Sequence, residues 1–184
     1  MPLVATVVLA GCTEDPAGAG SDNNLGYISG SPYKEIKPAD RKPAVKFSGV
    51  TESGDKVSSS QFLGKVHVIN FWYAGCGPCI REAPRLESAF KSYNGAVPFL
   101  GVNTYDQAAT AINFETAKKV TYPSVIDVND TAVQFAFSAS VPANAVPTTL
   151  IIDQKGRVAA RVTGVIEDAS ILKDLINTVV AEGS

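Results

Sequence analysis

Residues 65–79 read Lys-Val-His-Val-Ile-Asn-Phe-Trp-Tyr-Ala-Gly-Cys-Gly-Pro-Cys. The first eight are nearly continuous in β-branched and aromatic side chains, the pattern of a strand covered on both faces. From Gly77 the pattern changes: Ile80, Ala83, Leu86 and Phe90 recur at helical spacing and predict a helix over 77–91 with one apolar face. A buried strand therefore runs into a helix, and the pair Cys76 and Cys79 sits at the junction. Two intervening residues in a first helical turn let the two sulfurs close a short disulfide ring. The free N–H groups and positive end of the helix dipole face Cys76 and favour its thiolate. The thiolate is the nucleophile of disulfide exchange, so Cys76 is expected to attack a partner disulfide. Cys79, expected to be the more buried of the two, would resolve the mixed disulfide.

Outward from this junction, the same patterning predicts strands over 97–102, 124–128, 148–153 and 158–162. Helices are expected over 106–118, 130–137 and 167–181, the last with Ile171, Leu172, Leu175, Ile176, Val179 and Val180 at helical spacing. The turn at Gln154-Lys155-Gly156 makes a hairpin of the last two strands. Upstream, 45–50 and 56–58 flank Ser53-Gly54-Asp55 as a further hairpin. This order describes an α/β fold with a mixed central sheet, an N-terminal β-hairpin and helices on its faces. In a chain of 184 residues it amounts to one domain, expected over 44–184.

Composition narrows the function. Apolar residues make up 45% and charged residues 18%, values of an ordinary globular protein. A net charge of −2 gives no basic footprint, so no nucleic-acid partner is expected. Three cysteines are too few for a disulfide scaffold. A zinc site at Cys76 and Cys79 would need further ligands, and the only histidine, His67, is predicted mid-strand; no metal and no role for His67 are expected. A c-type haem attachment would need His where Ile80 stands. A purely structural bridge would close a very small loop and remove little unfolded-chain entropy. Redox exchange is the chemistry that fits, with the Cys76–Cys79 disulfide itself as the working group and no cofactor.

The stretch Phe71-Trp72-Tyr73-Ala74-Gly75-Cys76-Gly77-Pro78-Cys79 after a buried strand resembles the thioredoxin superfamily, with Trp72 four residues before the first cysteine. Pro84 matches the proline inside the superfamily's active-site helix, and Val146-Pro147-Thr148 stands where it carries a cis-proline. Within the superfamily the chain is similar to the membrane-anchored TlpA/ResA-type thiol-disulfide oxidoreductases. Glu82 completes a CxxCxxExP pattern found in that subgroup, and 103–145 is long enough to supply its central helical insertion. Asn70 stands where thioredoxin has a buried Asp.

The resemblance implies a thioredoxin-like fold, catalytic roles for Cys76, Cys79 and Glu82, and partner contacts by Trp72, Gly77, Pro78, Val146 and Pro147. Some of these positions keep two readings at this point. Glu82 is either a buried acid trading protons with Cys79 or an exposed glutamate favoured by the helix dipole. Pro147 either follows a cis bond that presents Val146 to an extended partner segment or is a trans proline opening a strand. Trp72 either flanks the sulfurs or is a plain core aromatic.

The N-terminus reads as an export segment. Residues 1–11 carry no charge and precede Leu9-Ala10-Gly11-Cys12, which resembles a bacterial lipobox with Cys12 as the lipid attachment site; no Lys or Arg precedes the apolar stretch. Residues 12–43, rich in Gly, Pro, Ser, Asp and Asn, read as a flexible tether. The expected protein is a monomer anchored on the outer face of the bacterial cytoplasmic membrane. By resemblance its partners are extracytoplasmic protein disulfides, such as those of apocytochrome c, and a membrane electron donor. Its Gly-Pro pair leans towards a reductant. An oxidase inserting disulfides is the alternative. A thiol peroxidase would need Pro and Thr where Ile69 and Tyr73 stand. A copper-carrying or binding module would need His or Met near the cysteines, and the only Met is Met1.

Overall fold

The computed structural model describes residues 32–142 and 145–183. Its strands are β1 (Tyr33–Glu35), β2 (Ser48–Val50), β3 (Lys56–Ser58), β4 (His67–Trp72), β5 (Phe99–Asn103), β6 (Ser124–Ile126), β7 (Thr148–Ile152) and β8 (Val158–Thr163). Its helices are α1 (Gly77–Ser92), α2 (Ala108–Lys118), α3 (Ala132–Ala136) and α4 (Ala169–Ala181). Six strands form one sheet in the order β1-β8-β7-β4-β5-β6, and β2 and β3 form the expected hairpin. Its turn places Gly54 at φ 91°, a backbone region open to glycine.

The central strand is β4, parallel to β5 and antiparallel to β7, with all six residues buried. Its alternation divides the core. Val68 packs with Leu86, Ala89, Leu172 and Ile176 beneath α1 and α4. Ile69 and Phe71 point to the opposite layer, with Phe47, Phe62 and Phe137. Asn70 and Trp72 therefore share the α1 face. That register puts one amide and one indole directly under the helix that carries the cysteines.

Thioredoxin-like architecture and a mixed sheet are as expected, and 103–145 carries α2, β6 and α3. One boundary moves. Tyr33–Glu35 adds an antiparallel edge strand to β8, and the Arg41 side chain, 3% exposed, pairs with Asp153. The folded unit thus begins ahead of residue 44, because the Pro- and Lys-rich segment finds its partners on the far edge of the sheet. The expected export segment and Cys12 lie outside the described residues.

Candidate functional site

Cys76 is the N-cap of α1: its Sγ accepts a hydrogen bond from the Cys79 backbone N–H at 3.1 Å. The two cysteines form a disulfide, with Cα atoms 5.2 Å apart. In this oxidised form they are nearly equally buried, Cys76 at 3% and Cys79 at 2% exposure, so the expected contrast between them is slight. The bridge draws Cys76 into a small cluster with Cys79, Trp72 and Ala111, against which Tyr73, Phe114 and Val146 pack. Gly77 stays exposed and Pro78 half-buried at the rim.

The approach to the bridge is pinned from the side. Asp106 accepts hydrogen bonds on Oδ2 from the Ala74 N–H at 2.6 Å and from Asn103 Nδ2 at 3.0 Å. Asn103 in turn accepts from the backbone N–H groups of Tyr105 and Asp106. Trp72 is both things the sequence left open: it belongs to the core and to the wall of the disulfide. Its ring lies 4.6 Å from that of Phe114, and its Nε1 donates to Ser124 Oγ at 3.2 Å.

Glu82 is not a surface residue. It is 1% exposed and both its oxygens accept: Oε1 from Asn70 Nδ2 at 2.9 Å, Oε2 from the Ile166 N–H at 3.1 Å. Asn70 Nδ2 also donates to Thr149 Oγ1 at 3.0 Å. Burial pushes the Glu82 carboxyl up from 4.5 to about 7, although the two hydrogen bonds and nearby Arg85 pull the other way. A carboxyl poised there can hold or release a proton near neutral pH, one helical turn from Cys79.

The Val146–Pro147 bond is cis, and Val146 packs directly against the disulfide cluster. Tyr73 and Tyr105 stand as an aromatic pair 5.7 Å apart, with Tyr105 74% exposed. His67 lies away from the site, stacked on Phe62 at 4.7 Å, and burial lowers its pKa. Among the described residues no group of three or more His, Cys, Asp or Glu is placed to hold a metal.

Three residues of this neighbourhood were not assigned a role from sequence. Asn70 and Asp106 each act through a partner distant in the chain, Thr149 and Ala74, whereas Glu115 is set by its burial on α2. Asn70 was marked by its place where thioredoxin has a buried Asp, and Glu115 by following Ala111 at four residues on the inward face of α2; Asp106 left no such trace.

The sequence profile of the Redoxin family matches residues 37–176. Thiol-disulfide oxidoreductase ResA of Bacillus subtilis is 30% identical over 128 residues, 69% of this chain and 68% of its own length. Thioredoxin-like protein YneN of the same organism is 30% identical over 150 residues, 72% of this chain and 79% of its own. Among solved structures, a DsbF homologue from Corynebacterium diphtheriae superposes with a TM-score of 0.72 at 27% identity, covering 83% of this chain and 96% of its own. A secreted thiol-disulfide isomerase from Corynebacterium glutamicum gives 0.72 at 25% identity, covering 82% and 95%. With a CxxC disulfide at the mouth of α1 and these relatives around it, the chain belongs to the thioredoxin-like Redoxin family, as a thiol-disulfide oxidoreductase.

Proposed function

We propose that the protein is an exported reductant of protein disulfides in which Cys76 attacks, Cys79 resolves and Glu82 handles the proton. The observation that carries this reading is the Cys76 sulfur held at the α1 N-terminus and bonded to Cys79, with the buried Glu82 carboxyl one turn on from Cys79. The reduced Cys76 thiolate attacks a partner disulfide, forming a mixed disulfide and releasing the partner's other sulfur as thiolate. Cys79 passes its proton to Glu82 and attacks Cys76 Sγ. The Cys76–Cys79 bond forms, the bond to the partner breaks, and the partner leaves reduced by two electrons.

An extended partner segment lying beside Val146, over the rim of Gly77 and Pro78, would bring its sulfur to Cys76. Trp72 supports that surface from behind. Oxidoreductases of this family work through the disulfide itself, and their substrates are protein thiols and disulfides. We extend this to a substrate outside the cytoplasm, of which the paired cysteines of apocytochrome c are one candidate, served by a monomer held at the membrane through Cys12 and recycled by a membrane electron donor. The Gly77-Pro78 pair, the same as in thioredoxin, supports the reducing direction.

Trapping tests it. Cys79→Ser should accumulate mixed disulfides on Cys76 with exported thiol proteins, and the Cys76–Cys79 couple should equilibrate near the potential of thioredoxin, about −270 mV. A potential near that of a strong oxidant, about −120 mV, would instead make it a disulfide-forming oxidase. A trap that captures no exported protein would overturn the reading.

A further inference from the structure

A cavity of about 10 Å³ lies behind the disulfide, lined by Cys79, Asn70, Trp72, Tyr122 and Glu115 among others. Its volume matches the smallest space that holds one water. Glu115, 7% exposed, contributes a fully buried Oε1 that has no hydrogen-bond partner, an arrangement buried carboxylates seldom tolerate. Glu82, by contrast, has both oxygens taken by Asn70 and Ile166. Of the two buried acids near the bridge, Glu115 is the one with an oxygen left to give, and it lines the same cavity as Cys79.

We propose that Glu115 is a second proton acceptor for Cys79, reached through a single water held in this cavity. It acts through that water and does not touch the reacting sulfurs, so it is a positioning residue. In the step it serves, the Cys79 thiol gives a proton to the water and the water gives one to the Glu115 carboxylate. The Cys79 thiolate then attacks Cys76 Sγ; the Cys76–Cys79 bond forms, the bond to the partner breaks, and the partner departs as thiolate. The proton stays on Glu115 until solvent takes it.

The surroundings suit the task. Burial raises the Glu115 carboxyl to about 7; Ser124 opposes the rise, and the Glu52 carboxylate adds to it. Glu52 comes from the hairpin side and itself accepts from the Ser124 N–H at 2.8 Å. Ser124 also receives the Trp72 indole N–H, and the Tyr122 phenol, just before β6, is raised by burial and then by the charges of Glu82 and Glu87 on α1 and of Glu115. From α1, the cavity is faced by Cys79 and by the apolar Ala83 and Leu86.

The inference rests on Cys79 as the resolving thiol. The test follows release of the second thionitrobenzoate after reduced protein reacts with dithiobis-nitrobenzoate, as a function of pH. Glu115→Gln should slow release about tenfold at pH 7, less than the hundredfold or more of a sole proton acceptor because Glu82 remains, and should weaken an inflection near pH 7 that only Glu82→Gln and Glu115→Gln together abolish. In the unaltered protein, the ¹³C carboxyl titration of Glu115 should differ between disulfide and dithiol forms; this measurement decides alone should Glu115→Gln not fold. Unchanged release kinetics, or identical Glu115 titrations in both redox states, would overturn the proposal. Release that persists in Cys79→Ala would instead remove Cys79 as the resolving thiol, a separate failure.

Discussion

Two glutamates on α1 show how residue chemistry is set by what faces it. Glu87 is 5% exposed; burial pushes its carboxyl up, but hydrogen bonds from the Thr121 hydroxyl and N–H and a contact with Lys91 outweigh that and lower its pKa. Glu82 receives only the Asn70 amide and the Ile166 N–H, so burial wins and the pKa rises from 4.5 to about 7. The folded protein therefore binds this proton more tightly than the unfolded chain does. The stability it contributes is complete below pH 4.5 and is lost as pH rises through about 7. The loss amounts to about 3 kcal/mol. Urea unfolding at pH 5 and pH 8 should show a loss smaller by about that amount in Glu82→Gln than in the parent, the share of Glu115, also raised to about 7, remaining in both. Equal pH slopes would show that Glu82 is ordinary in the folded state. The same substitution should also slow partner release, since the carboxyl no longer takes the Cys79 proton.

At the scale of elements, the site depends on how closely β4, β5 and β6 approach beneath α1 and α2. Gly101 of β5 pairs with Asn70 on one side and Ser124 on the other. A Cβ there would collide with the Ser124 hydroxyl and lie 2.8 Å from Trp72 Nε1. Glycine in this strand is thus the condition for the Trp72–Ser124 hydrogen bond, and through it for the wall behind the disulfide. Gly101→Ala should cost roughly 1–3 kcal/mol from overpacking. Because Trp72 is the only tryptophan, its emission should report the disturbance directly. A variant with parent-like stability and emission would show that the strands can separate without cost.

For the whole molecule, the segment before β2 acts as a strap. Arg41 donates through Nε to the Ile36 carbonyl at 2.9 Å and pairs with Asp153 at 3.1 Å and Glu182 at 2.6 Å. Arg157 completes the cluster on Asp153 at 2.8 Å and reaches the Pro38 carbonyl. The N-terminal strap, the β7–β8 turn and the end of α4 are joined through the Arg41 guanidinium; burial alone would push the Asp153 carboxyl up, but the Arg157 N–H and the Arg157 and Arg41 guanidinium groups hold it below the usual range. A chain beginning at residue 44 loses β1 and Arg41 together. It should unfold at lower urea than one beginning at residue 32, by about 3 kcal/mol, the cost of leaving a buried charge short of its partner. Coincident midpoints would make the strap a passive attachment.

What the amino-acid order determined by itself was everything set by local periodicity. The alternation of 65–72, the helical spacing after Gly77 and the placing of two cysteines at their meeting point are properties of neighbouring residues. They were enough for the fold class, the disulfide and thiol-disulfide exchange as the chemistry. Burial of a polar group is different, because it depends on which distant segment supplies its partner. The Ile166 N–H reaches Glu82 from 84 positions away, and Asn70 meets Thr149 from 79. The same holds for Arg41, whose composition-rich surroundings read as a tether until Asp153, 112 positions on, turned it into a strap. Only the packed sheet brings those groups within reach, and only there does water leave, which is what moves a carboxyl such as Glu82 or Glu115 into the range where it can exchange protons with a thiol.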